Sequence, residues 1–133
     1  MAKIGMIGAG SWGSALSWLL ANNGHEVIVW SALADEIAML SECREQKSKL
    51  PGVILPESVT FTTDLKEAVE GRDLLVLAVP SPFTRSTARQ MKDFVGKGQI
   101  VVNVAKGIEE GTLMTLSQII EEEIPQADVA VLS

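Results

Sequence analysis

Short apolar runs alternate along this chain with segments in which apolar residues recur every three or four positions, a pattern of strands and helices in succession. The first run, Ile4 to Ile7, is too brief for a helix. A helical pattern follows, with Ala15, Leu16, Leu19 and Leu20 on one side and Asn23-Gly24 as its stop. Glu26 to Trp30, rich in β-branched residues, reads as a second strand. Residues 33 to 43 read as a helix with Leu33, Ile37 and Leu40 on one face and acids on the other. Residues 44 to 58 are polar and interrupted by Pro51-Gly52 and Pro56, which break regular structure. Val59 to Thr62 reads as a third strand, and Asp64 caps a short helix that ends at Gly71. Leu74 to Val79 is continuously apolar, as in a parallel strand covered on both faces, and Pro80-Ser81-Pro82 stops it. A helix from about Phe83 to Phe94 leads through Gly96 and Gly98 to a fifth strand, Ile100 to Ala105, which ends at the polar turn Lys106-Gly107. The next helix starts near Thr112 and reaches Glu123, Pro125 stops it, and Val129 to Leu132 reads as a sixth strand.

Strands and helices alternating at this spacing predict an α/β fold, a doubly wound parallel sheet of six strands. Right-handed crossovers favour the strand order 3-2-1-4-5-6. Between the first strand and its helix stand Gly8, Gly10 and Gly13, spaced G-x-G-x-x-G. In a Rossmann dinucleotide-binding unit the first glycine makes the tight turn and the second leaves backbone bare for a pyrophosphate. The third lets helix and strand pack closely. Ser11 adds a hydroxyl and Trp12 a flat apolar surface at the mouth of this turn. The competing reading is a tight strand-to-helix turn that binds nothing.

At 133 residues and 47% hydrophobic content the chain is expected to form one domain, residues 1–133, with a core of its own. The formal net charge of −6 argues against nucleic acid as a partner, while leaving room for an anionic cofactor held by backbone amides. No apolar run approaches the ~20 residues needed to span a membrane, and no basic leader precedes the first strand. A single cysteine, Cys43, excludes an internal disulfide and suits a reducing cytoplasm. His25 is the sole histidine, which leaves no metal cluster and no Ser-His-Asp relay; a loop or strand-entry role is expected for it.

The topology brings the ends of strands one, four and five to one crevice, with GAGSWG, AVPSP and VAKG around it. Lys106 is the charged group this pattern sets there. Its ammonium can hold a phosphate or polarise a carbonyl, or it is an exposed turn residue. Arg44, Lys47 and Lys49 make the densest basic spot, read as a solvated loop ahead of a phosphate contact. The carboxylate that often follows the second strand is missing: Trp30, Ser31 and Ala32 stand there, so this position does not choose between NAD and NADP. No residue pair forms a proton relay, and no catalytic group is assigned within the chain.

The runs GAGSWGSALSWLLANNGHEVIVW, LPG at 50–52, LAVPS at 77–81 and KGIE at 106–109 resemble the bacterial NAD(P)-dependent glycerol-3-phosphate dehydrogenases, and the likeness extends to VAVLS. The resemblance implies an N-terminal Rossmann domain that binds NADP or NAD, followed by a helical substrate domain. It implies interconversion of dihydroxyacetone phosphate and sn-glycerol 3-phosphate for phospholipid synthesis, in the cytoplasm, with a homodimer as one option for the full-length enzyme. By position, Ser11 and Trp12 correspond to cofactor contacts, and Lys106 to a lysine touching cofactor and substrate. The family's arginine after the second strand is replaced by Ala32 and Leu33. The proton-transferring lysine belongs to the C-terminal domain, so this sequence is expected to be a truncated, inactive cofactor-binding half. Two other readings stay open: a free-standing nucleotide-sensing module, and a reductase of another small substrate.

Overall fold

The computed structural model describes residues 1–105 and 107–131. The strands are β1 (Lys3–Ile7), β2 (Glu26–Trp30), β3 (Thr60–Thr62), β4 (Leu74–Leu77), β5 (Ile100–Asn103) and β6 (Asp128–Val131). The helices are α1 (Ser11–Asn22), α2 (Ala34–Cys43), α3 (Leu65–Val69), α4 (Thr84–Met91) and α5 (Leu116–Glu123), with a 3-10 turn at Ser81–Phe83. All strand pairs are parallel and the order is β3-β2-β1-β4-β5-β6, as the alternation of elements predicts. The order reverses between β1 and β4, where Ile7 pairs with Leu77, and a sheet of this kind opens its crevice at that point.

Each central strand is buried on both faces, so its side chains divide by parity. Ile4, Met6, Val27, Val29 and Val76 pack with Ile37 and Leu40 of α2 and the inner side of α1. Ile7, Ile28, Trp30, Leu75 and Leu77 pack on the opposite face with α3, α4 and α5, through Ala68, Met91 and Ile120. Gly5 keeps β1 bare where α3 crosses it: a Cβ there would overlap the Ala68 carbonyl oxygen.

The face of α1 departs from the sequence expectation. Its fully buried residues are Gly13, Ser14 and Ser17, while Leu19 and Trp18 are exposed and Leu16 and Leu20 are only partly covered. Small residues win because the helix lies close to the sheet, and the two hydroxyls donate to the carbonyls of Ala9 (3.1 Å) and Gly13 (2.7 Å). Other elements differ at their ends. The segment after β4 begins as a 3-10 turn, and α4 stops at Met91. Thr112 does not start α5; Thr115 does, in a capping box with Gln118. The sixth strand is Asp128–Val131; Leu132, assigned to it from the sequence, lies outside the described residues.

Candidate functional site: the cleft beyond the strand ends

A cleft of about 840 Å3 opens at the carboxyl ends of the strands, lined by Gly8–Trp12, Trp30–Leu33, Ala78–Ser81 and Val104–Ala105. This is the convergence of β1, β4 and β5 expected from topology, with the end of β2 added. The volume falls within the range of small-molecule and cofactor sites. Trp12, Leu33 and Phe83, all exposed large apolar side chains, stand in its lining.

The glycine turn forms the floor. Gly8 has φ +124°, and a Cβ on it would come within 2.6 Å of the Ala78 carbonyl oxygen, so both its conformation and its proximity to the end of β4 require glycine. Its N–H donates to the Trp30 carbonyl at 2.9 Å, tying the turn to β2. Gly13 meets a different demand: a Cβ there would overlap the Gly8 carbonyl oxygen, so its bareness lets α1 start directly over the turn. Gly13 supports the cleft from below and does not line it. Gly10, the N-cap of α1, has open space before it. A Cβ there would meet only the Lys49 side chain, at 3.7 Å from Cδ. No side chain caps α1 at Gly10 and no acid stands in its first turn, so the positive end of the helix faces the cleft. These features fit a pyrophosphate lying on Gly10.

Ser11 and Trp12 are exposed and line the cleft beside Gly10. Lys106 lies outside the described residues; its neighbour Ala105 lines the cleft, and Gly107 on the other side has φ +120°. The basic spot divides three ways. Arg44, at a left-handed φ of 56°, donates to the carbonyls of Leu55, Pro56 and Val59 and lies over the Phe61 ring, so it braces the 44–59 loop and is not a solvated side chain. Lys47 is exposed and away from the cleft, whereas Lys49 lines it. His25 braces the entry to β2, its Nδ1 accepting from the Ala2 N–H at 3.0 Å. Cys43 is a free thiol in the last turn of α2, outside the cleft. Among the described residues no group of histidine, cysteine and acidic side chains could hold a metal ion.

Two clusters escape sequence reasoning. The first is Glu36, expected on the solvent face of α2 but turned into the cleft wall. It accepts from Ser31 Oγ (2.7 Å), Gln46 Nε2 (2.9 Å) and Lys49 Nζ (3.2 Å). Gln46, itself buried, also donates to the Ala9 carbonyl at 2.6 Å and so links this cluster to the glycine turn. The second holds the segment after β5. Arg85 of α4 grips Glu109 through two bonds, Nε at 2.8 Å and Nη2 at 2.9 Å, and also meets Glu122 and Glu123 of α5. Hydrogen bonds from Arg85 and then Thr112 hold the Glu109 carboxyl at about 2, and those from Arg89 and Arg85 lower that of Glu123. These partners are far apart in sequence, and no local pattern announces them.

Residues 3–133 match the family model for the N-terminus of NAD-dependent glycerol-3-phosphate dehydrogenase. The chain is 63% identical over 132 residues to glycerol-3-phosphate dehydrogenase (NAD(P)+) of Agathobacter rectalis, covering 99% of this chain and 39% of that protein. It is 50% identical over 135 residues to the enzyme of the same name from Fusobacterium nucleatum, covering 100% of this chain and 40% of that one. The crystal structure of glycerol-3-phosphate dehydrogenase from Coxiella burnetii superposes with a TM-score of 0.91 at 29% identity, over 98% of this chain and 40% of that chain. This chain therefore spans about two fifths of the length of the curated relatives it matches.

Proposed function

Since the chain belongs to the NAD-dependent glycerol-3-phosphate dehydrogenase family, as its N-terminal part, we propose that it holds the nicotinamide dinucleotide of such an enzyme. The whole enzyme would interconvert dihydroxyacetone phosphate and sn-glycerol 3-phosphate, which supplies a phospholipid backbone. The observation that carries the cofactor role is the bare Gly10 at the uncapped start of α1, open to the cleft. Gly8 and Gly13 shape that turn, Ser11 offers a hydroxyl beside it, and Trp12 offers an apolar wall. Bound NADH or NADPH would supply the hydride for the reduction; the residues of this chain would bind and orient the cofactor. The cytoplasmic setting rests on the family resemblance, and a lone free thiol at Cys43 is in keeping with a reducing compartment. The homodimer rests on family resemblance alone.

Lys106 is assigned to the nicotinamide end, in contact with cofactor and substrate. Support comes from the KGIE motif and from Ala105, its neighbour, in the cleft lining. An ammonium there can stabilise charge on the substrate carbonyl oxygen or phosphate as hydride arrives.

Two measurements test the reading. Calorimetric titration of the chain with NADH and NADPH should reveal a single site for at least one of them, with no reduction of dihydroxyacetone phosphate by this chain alone. In the full-length enzyme, Lys106→Met should lower kcat/KM for dihydroxyacetone phosphate by at least ~100-fold, the scale of one electrostatic contact in a closed site. A loss below threefold would return Lys106 to an ordinary turn residue.

A further inference from the structure

The two charged groups among the described lining residues of the cleft are Glu36 and Lys49, and they are paired with each other. Their exposures are unequal: the Glu36 side chain is 11% accessible and the Lys49 side chain 47%. The carboxylate is the fixed partner. Ser31 Oγ holds Oε1, and Ser31 is itself fixed by accepting from the Leu33 N–H at 3.1 Å. Gln46 and Lys49 hold Oε2. The lysine is the more exposed partner, its stem reaching over Gly10 with its ammonium on Glu36.

Glu36 stands in the first turn of α2, just past the end of β2, and Lys49 reaches it from the loop after α2, on the side of the glycine turn away from β4 and β5. In a doubly wound sheet that side receives the adenosine half of a dinucleotide, whose ribose 2′ position there meets either a carboxylate or a cation. From Glu36 a 2′-hydroxyl receives what it needs. An ionised carboxylate has about four acceptor positions, and three donors are in place, so one remains for the hydroxyl proton. A 2′-phosphate meets the opposite. It brings nearly two negative charges at neutral pH toward a carboxylate pinned by three donors. The one described cation in the lining, Lys49, could serve the phosphate only by leaving Glu36 without its counter-charge.

Resting on the reading of the cleft as a nicotinamide-dinucleotide site, we propose that the Glu36–Lys49 pair makes this chain select NAD(H) over NADP(H), with Glu36 the discriminating residue and Lys49 its counterweight. The acidic residue absent from positions 30 to 32 is thus supplied from the first turn of the following helix.

The test is direct binding, by calorimetry or quenching of tryptophan fluorescence, of NADH and NADPH to the chain and to Glu36→Gln and Lys49→Met, with circular dichroism to establish folding. In the unaltered chain NADH should bind at least ~10-fold more tightly than NADPH, since like charges at contact distance in a partly buried site readily cost that much. Glu36→Gln should narrow the ratio at least fivefold through a gain in NADPH affinity. Lys49→Met should widen it, because the carboxylate then lacks its counter-charge. A purely structural role for Glu36 would weaken both dinucleotides equally. Equal or tighter binding of NADPH by the unaltered chain, an unchanged ratio in folded Glu36→Gln, or a narrowed ratio in Lys49→Met would each overturn the inference while leaving the dinucleotide site standing. Binding of neither dinucleotide would overturn the site itself and the inference with it.

Discussion

The turn after β1 and the segment after β5 both leave the sheet at the cleft, and they are held by different forces. The first is held by backbone and by missing side chains. Gly8 donates to Trp30, Ser14 donates its N–H to Gly10 at 2.9 Å, and Gly13 lies bare against the Gly8 carbonyl. The second is held largely by charge. Its two arms join in a single antiparallel bridge between Ile108 and Thr115, and Glu109 is clamped by an arginine 24 positions earlier in the chain. Steric fit in the first turn is insensitive to salt and pH, whereas an ion-pair network answers to both. The turn and the segment should therefore fail under different insults.

Gly13→Val tests the steric wall most severely. The branched side chain must push α1 away from the turn, since neither the Gly8 carbonyl nor the helix start can move aside freely. Urea unfolding should register a loss of at least about 3 kcal/mol. A loss under 1 kcal/mol would mean that the turn has slack the packing does not suggest.

Gly10→Val separates binding from folding within the same wall. Gly10 has φ −75° and ψ −159°, a conformation valine adopts, and its Cβ would meet only the movable Lys49 stem. Stability should fall by less than about 1 kcal/mol, mostly from a poorer N-cap. Dinucleotide affinity should drop at least ~100-fold, because the side chain fills the space a pyrophosphate needs. Retained affinity in a folded variant would reduce the glycine turn to architecture.

Arg85→Met addresses the ion-paired segment after β5, with a smaller effect and a distinctive pH signature. The carboxyls of Glu109 and Glu123 have pKa values below 4.5 in the folded protein, that of Glu109 about 2. Their contribution is complete above the unfolded value near 4.5 and is lost as pH falls through the folded values. Without Arg85 the Glu109 value returns toward 4.5 and that of Glu123, still paired with Arg89, rises part of the way. The thermal midpoint of the variant should therefore lie below that of the unaltered chain at pH 7, with the gap closing by pH 2. A gap of equal size at both pH values would show that Arg85 acts through packing of its stem instead of charge.

The alternation of apolar runs with helical spacing, the breaks at glycine and proline, and the G-x-G-x-x-G turn determined by themselves the six strands, their parallel order and the location of the cleft, because each is a local backbone requirement or follows from the handedness of crossovers. They did not decide which face of α1 is buried: Gly13, Ser14 and Ser17 pack inward over the leucines because the close approach of helix to sheet admits only small side chains. Nor did they reveal Glu36, which looks like any solvent-facing acid of α2 until Ser31, Gln46 and Lys49 converge on it. The same holds for Arg85, whose carboxylate partners lie 24, 37 and 38 positions away. Periodicity records how a residue relates to its neighbours along the chain. The Arg85 network and the links of Glu36 to Gln46 and Lys49 form between residues that only the assembled sheet brings together, so those partners were decided by the tertiary structure.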